Sequence, residues 1–232
     1  MPFHPGTRYS LSWFRRKFRA LLDGCAAVDA TNELYGMKVI QYKPSSLIVV
    51  ALGANLPFEG LDPGEILNGA LRALAGAELK ITLKSAFYRT PCFPAGAGPD
   101  YVNAVIALED RAARNPSELL RILHSIEHSW GRERVQRWAG RTLDLDLIAA
   151  GDSVLPDLSG WRHWRDLDPE AQQREAPDQL ILPHPRLQDR AFVLVPMADI
   201  LPDWRHPVSG QSVLQMLEAL PEADRAGVVR LS

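Results

Sequence analysis

Cysteine is scarce in this chain: its 232 residues include two, Cys25 and Cys92, and no Cys-x-x-Cys pair. That excludes a zinc knuckle and a thioredoxin-like motif. At this length it also argues against a disulfide scaffold, so both thiols are expected to be reduced. No apolar run approaches the roughly 20 residues a membrane span needs. No Gly-x-x-x-x-Gly-Lys-Ser/Thr occurs, which excludes a P-loop nucleotide site. The formal net charge is only −2, which argues against a protein that coats nucleic acid. No internal repeat is found. What is present is 46% hydrophobic and 23% charged residues, the balance of a globular chain long enough to bury a core.

Residues 1–45 differ from the rest. Trp13, Phe14, Phe18, Leu21 and Leu22 are interleaved with Arg15, Arg16, Lys17 and Arg19. This short basic amphipathic stretch lacks the apolar centre of a secretory signal. A loosely ordered extension, a start upstream of Met37, a transit peptide and a membrane-surface helix all fit it. No catalytic role is expected there.

The domain is expected over 46–232. Leu47 to Leu52 reads as a buried strand ending in the turn Gly53-Ala54-Asn55. Asp62-Pro63-Gly64-Glu65 has the N-cap, first-turn proline and third-position glutamate of a helix start, and Gly76 is a stop signal. Lys84 to Cys92 and Tyr101 to Leu108 read as strands. Asn115-Pro116-Ser117-Glu118 repeats the helix-start pattern, Gly131 ends that helix, and Arg141 to Ala149 is a fourth strand. The order strand, helix, strand, strand, helix, strand predicts an α+β fold with a ferredoxin-like βαββαβ core, a largely antiparallel sheet flanked by helices. Residues 152–180 read as an insertion with one weak helix near Pro169 to Glu175, and a last helix is expected near Gln211 to Leu220.

The sharpest chemical feature is Arg141-Thr142-Leu143-Asp144-Leu145-Asp146-Leu147. Side chains alternate along a strand, so the leucines face the core while Asp144 and Asp146 share the other face, about 6.6 Å apart. Magnesium takes such oxygen ligands together with substrate phosphates, and a paired site clamps both ends of a phosphoryl transfer. A solvated strand face is the plainer reading of Asp-x-Asp alone. Arg132, Arg134, Arg137 and Arg141 lie just upstream, around Trp138, and guanidinium groups bind phosphate oxygens bidentately. Tyr101 and Asn103 share a strand face, where an aromatic can stack on a flat heterocycle and an amide can bond its edge. Ordinary sheet packing explains that pair equally well.

The ordered set is more specific than any member. Val50 to Leu56, Phe87 to Pro91, Pro99 to Asn103, Arg141 to Asp146, and Pro183-His184 with Arg190 and Phe192 together resemble the 6-hydroxymethyl-7,8-dihydropterin pyrophosphokinases of folate biosynthesis. The resemblance runs from about Leu47 to Trp204, interrupted at 152–180. It implies transfer of pyrophosphate from ATP to the pterin hydroxymethyl group, with AMP as the second product. Two magnesium ions would be held by Asp144 and Asp146. Thr90, Pro91, Phe93 and Asn103 would line the pterin pocket, with Tyr101 and Phe192 on either side of the ring. Glu127, Arg134, Trp138, Arg141, His184 and Arg190 would surround ATP, with Arg134 and Arg141 taking up charge during transfer. A cytoplasmic monomer is implied, with small-molecule substrates and no nucleic-acid partner.

Four features depart from the family pattern. They are Gly140 before Arg141, His124 where glutamine can occur, Pro185 after His184, and the insertion itself. They bear on nucleotide contacts. Two rival readings are a nucleotide-dependent transferase acting on another substrate such as a sugar, and a non-catalytic binding module. The first leaves Tyr101, Asn103 and Phe192 unexplained as a set, and the second predicts loss of the carboxylates or the arginine loop. Taken alone, Glu127 reads as a solvated acid and His184 as a turn residue between prolines.

Overall fold

Strand β1 (Ile48–Ala54) is buried along its whole length and lies inside the sheet. It pairs antiparallel with β4 (Tyr101–Asp110) on one side and β5 (Asp144–Ala150) on the other. The computed structural model describes residues 47–92, 96, 98–131, 141–168, 171 and 175–232. The expectations for residues 1–45, Phe93, Arg134 and Trp138 lie outside these described residues.

Strands β2 (Leu79–Lys84) and β3 (Tyr88–Thr90) both pair with β4, β2 near its C-terminal end and β3 near its N-terminal end. Between them the chain leaves the ladder, and the Ser85 hydroxyl accepts from the Val105 N–H at 3.0 Å. The single strand expected over Lys84 to Cys92 is therefore two short ones, and the first begins earlier. Leu79, Ile81 and Leu83 alternate with polar residues and carried that signal. A short strand β6 (Val229–Arg230) extends the sheet along β3, giving the order β5-β1-β4-β3-β6. Its two exposed residues give no periodic pattern to read. All pairings are antiparallel, and the α+β, ferredoxin-like expectation is borne out.

Helices α1 (Pro63–Gly76) and α2 (Pro116–Ser129) begin where their caps predict. Asp62 and Asn115 each accept the N3 backbone N–H, while Glu65 and Glu118 reach back to the cap, closing two capping boxes. Their apolar stripes cover one sheet face, around Val50, Leu52, Ile106, Leu145 and Leu147. Truncating a buried leucine there costs about 2–5 kcal/mol.

The opposite face is covered at one end only. Val49, Val105, Ala107 and Ile148 pack against α4 (Ala191–Ile200) and α5 (Val213–Ala219). Helix α4 was not expected. It is apolar all round and contains Pro196, so it shows neither the stripe of a surface helix nor clean propensity. It is held over the sheet where Asp199 accepts from the Tyr88 hydroxyl at 2.8 Å. The helix expected near Gln211 to Leu220 is found, capped by Ser212, although it is not the last.

The 152–180 stretch contains an ordered helix, α3 (Leu158–Asp166), earlier than expected. Most of Pro169 to Glu175 lies outside the described residues, although the Glu175 N–H donates to the Ala171 carbonyl. The excursion closes at its base, where Leu155 and Leu182 exchange backbone hydrogen bonds of 2.8 and 3.2 Å. A last short helix, α6 (Glu222–Ala226), leads into β6.

Candidate active site

Beyond α4 the second sheet face is bare, and the β1 residues there are small. Gly53 lies in register between Asn103 of β4 and Asp144 of β5, and Ala51 between Val105 and Asp146. A Cβ on Gly53 would meet the Asn103 Oδ1 at 3.0 Å, the Tyr101 ring at 3.8 Å and the Asp144 Cβ at 4.0 Å. The low floor lets side chains of three strands meet around one cleft of about 1180 Å³. Gly53 was read from sequence only as part of a turn, and the missing Cβ acquires meaning only once its neighbours are known.

At the β3–β4 end of the cleft, Asn103 Nδ2 donates to Thr90 Oγ1 at 2.7 Å, and both residues are buried. Paired in this way, the amide is fixed in orientation before any ligand arrives. Pro91, Tyr101 and Phe192 complete this end, together with Gly227 and Val228 from the C-terminal segment. Phe192, on the first turn of α4, is 38% exposed, a large aromatic face left open to the cleft.

In the middle, Asp144 and Asp146 project from β5 as the alternation predicts, while Leu143, Leu145 and Leu147 are buried. Arg141 pairs with Asp144, and Arg190 Nη1 donates to Asp146 Oδ2 at 2.9 Å. Burial opposes the Arg141 charge, but the adjacent Asp144 and Asp146 carboxylates outweigh it, so its pKa is raised. All four side chains are partly exposed. Both pairs open onto the cleft, where phosphate oxygens can replace the carboxylates as partners of the guanidinium groups.

Two buried residues hold β5 in place. Glu127 is 2% exposed, and its Oε1 accepts from the Leu145 N–H at 2.7 Å, on the outer edge of β5. The reading of Glu127 as a solvated acid is corrected: an edge strand presents N–H groups that need partners, and this carboxylate supplies one. It does not line the cleft, whereas His124 and Leu120, earlier on α2, do. Asn55 is also 2% exposed. Its Oδ1 accepts from the Arg141 N–H at 2.7 Å, and its Nδ2 donates to the Pro99 carbonyl at 3.1 Å. It staples the end of β1 to the starts of β5 and β4. Asn55 had no assigned role in the sequence, where it read as a turn residue.

His184 donates its backbone N–H to the Ile148 carbonyl at 2.8 Å, and its Nδ1 accepts from the Arg186 N–H at 3.1 Å. It is therefore more than a turn residue. Burial and the Arg190 charge hold its pKa well below the usual imidazole range. The ring is neutral near pH 7, with the proton on Nε2 as a donor.

Asp144 and Asp146 form an all-oxygen donor set facing the cleft, which suits magnesium sharing substrate phosphates. Among the described residues no group of three or more metal-ligating side chains occurs, so a closed, all-protein metal cage is not seen there. No described helix is long and apolar enough to cross a membrane.

Residues 49–202 match the family model for 7,8-dihydro-6-hydroxymethylpterin-pyrophosphokinase. A Synechocystis protein named 2-amino-4-hydroxy-6-hydroxymethyldihydropteridine pyrophosphokinase is 37% identical, over 73% of this chain and 74% of its own length. A Pseudomonas aeruginosa protein of the same name is 35% identical, over 75% and 91%. Among solved structures, wild-type Plasmodium falciparum HPPK-DHPS superposes with a TM-score of 0.51 at 12% identity, and supports the fold alone. The match covers 75% of this chain but only 44% of that one.

Proposed function

We propose, for a chain that belongs to the 7,8-dihydro-6-hydroxymethylpterin-pyrophosphokinase family, that the cleft over Gly53 is where its reaction takes place. That reaction moves pyrophosphate from ATP to the hydroxymethyl group of 6-hydroxymethyl-7,8-dihydropterin, giving AMP and the pterin diphosphate, in folate biosynthesis. The observation that carries the assignment is the convergence of Asn103, Tyr101, Asp144 and Asp146 on one floor made low by Gly53.

The pterin lies at the β3–β4 end. Thr90 and Pro91 wall it, Asn103 bonds its edge, and Tyr101 and Phe192 take its two faces; Phe93 is assigned here by resemblance. A site built to hydrogen-bond a ring edge rejects analogues that leave its buried groups unpaired.

ATP lies toward β5. Asp144 and Asp146 would hold magnesium, two ions in the reading preferred here, which would neutralise the triphosphate. Arg141 and Arg190 leave their carboxylate partners for phosphate oxygens. His184, held neutral, donates from Nε2 without adding charge. Glu127 acts on the nucleotide through β5, by fixing the Leu145 backbone between the two aspartates. Arg134 and Trp138 keep their expected places beside ATP by resemblance. Transfer of this kind depends mainly on alignment and charge stabilisation, and a floor of paired strands supplies the alignment. The reading extends to a cytoplasmic monomer; sedimentation reads the oligomeric state directly.

Incubation with magnesium, ATP and the pterin is the test, with products separated by chromatography. AMP and pterin diphosphate, formed only when both substrates are present, are expected. ADP would mean transfer of a single phosphoryl group and a wrong assignment. No product from folded protein would favour a binding module.

A further inference from the structure

The 152–180 stretch, which the sequence marks as an insertion, contributes to the cleft. It leaves directly after β5 and returns through the Leu155–Leu182 bridge to His184. Its position is fixed by Trp161, which is 5% exposed and whose indole N–H donates to the Pro183 carbonyl at 2.8 Å. The ring also packs edge-on against His206, with centroids 5.2 Å apart. Gly160 lets Pro156 pack against the start of this helix, since a Cβ there would meet Pro156 Cγ at 2.7 Å. Helix α3 starts on a real cap, Asp157 accepting from the Gly160 N–H at 2.8 Å. Trp164, one turn after Trp161, is half-buried and lines the cleft, and so do Asp178 and Gln179 from the returning limb.

We propose that helix α3 and the returning limb at 175–180 form a recognition wall for the nucleobase, with Trp164 stacking on the base and Asp178 and Gln179 reading its exocyclic amine. The inference rests on the assignment of ATP to the β5 end. Charge decides which part of the nucleotide the wall meets. A carboxylate rim repels phosphates, which belong with Arg141, Arg190 and His184. The same rim accepts hydrogen bonds from an amine. An indole offers a flat apolar face suited to a heterocycle. At C6 adenine carries an amine where guanine carries a carbonyl oxygen, so Asp178 set against that position would favour ATP over GTP by attraction to one and repulsion of the other, guanine's own amine lying at C2.

Steady-state kinetics with magnesium and ATP or GTP test the wall. Trp164→Ala should raise the KM for ATP about tenfold and leave the KM for the pterin within twofold, while Trp164→Phe retains most of the affinity. Asp178→Asn should reduce the ATP-over-GTP ratio of kcat/KM about tenfold, a change that a merely structural role would not produce. If Trp164→Ala fails to fold by circular dichroism, Asp178→Asn and Trp164→Phe decide. ATP and GTP parameters within twofold of wild type in Asp178→Asn, together with an unchanged ATP KM in the folded Trp164 variant, would overturn the wall and leave the reaction assignment standing. Wild-type protein that forms no AMP with the pterin would overturn the reaction assignment, and this inference with it.

Discussion

The two ends of the cleft are built differently. At the β3–β4 end, Thr90, Tyr101 and Asn103 stand on hydrogen-bonded strands, their spacing fixed by the ladder, and Asn103 and Thr90 are buried against each other. At the β5 end only Asp144 and Asp146 stand on a strand, while His184, Arg190 and the 152–180 excursion come from connecting segments. Segments of that kind reach a defined position only through particular tertiary bonds, here Trp161 to Pro183 and Asn55 to Arg141. The comparison teaches where change is tolerated. The strand-built end offers immovable groups, and the loop-built end can acquire new walls without disturbing the sheet.

The largest effect is expected between the two ends. Asp144→Ala should lower turnover by about 10³-fold, with a melting temperature close to wild type because the carboxylate is partly exposed. Near-normal turnover would remove the metal assignment and dissolve the division of the cleft into halves.

Next comes the rigid end. Gly53→Val should weaken pterin binding by about 100-fold, because a Cβ lies 3.0 Å from the Asn103 Oδ1 and the central strand cannot yield. Fluorescence titration with the pterin reads it, and a loss shared equally with ATP would show that the ends are not independent. Tyr101→Ala should raise the pterin KM about tenfold and the ATP KM little; an unchanged pterin KM would argue against stacking.

The smallest effect concerns stability at the loop-built end. His206 is 1% exposed and packs against Trp161 and Trp204. Its Nδ1 accepts from the Val208 N–H at 3.1 Å, while Nε2 finds no partner among the described residues. Burial, followed by the nearby Arg165 charge, depresses its pKa to about 4. Below the unfolded value of about 6.5 the unfolded chain takes up a proton that the folded chain refuses. Stability from this group is therefore complete above about pH 6.5 and declines as pH falls toward 4, and His184 contributes in the same direction. Thermal melts at pH 7 and pH 4.5 should differ less in His206→Asn, whose amide oxygen can replace Nδ1 as acceptor. An identical pH dependence would locate the sensitivity elsewhere.

Much of the strand-built half was legible. Alternation around Asp144 and Asp146 separated site from core, and the Asp62 and Asn115 capping patterns located both helices of the closed face. The family resemblance, resting on ordered motifs, supplied the identity of the substrates. Less legible were α4, whose all-round apolar sequence has no stripe, and the split of β2 from β3, which a single serine hydroxyl bridges.

The sequence by itself determined the order of the core elements apart from the split of β2 from β3, the caps, the buried face of β5 and the carboxylate pair, because these follow from local periodicity and the chemistry of neighbours along the chain. Only the tertiary structure decided that Glu127 is a buried partner of β5, that Asn55 staples three strand ends, and that Gly53 is the floor beneath Asn103 and Asp144. The physical reason is the same each time. Each role is defined by a group distant in sequence, and neither a missing Cβ nor a buried carboxylate can be read until that group is beside it.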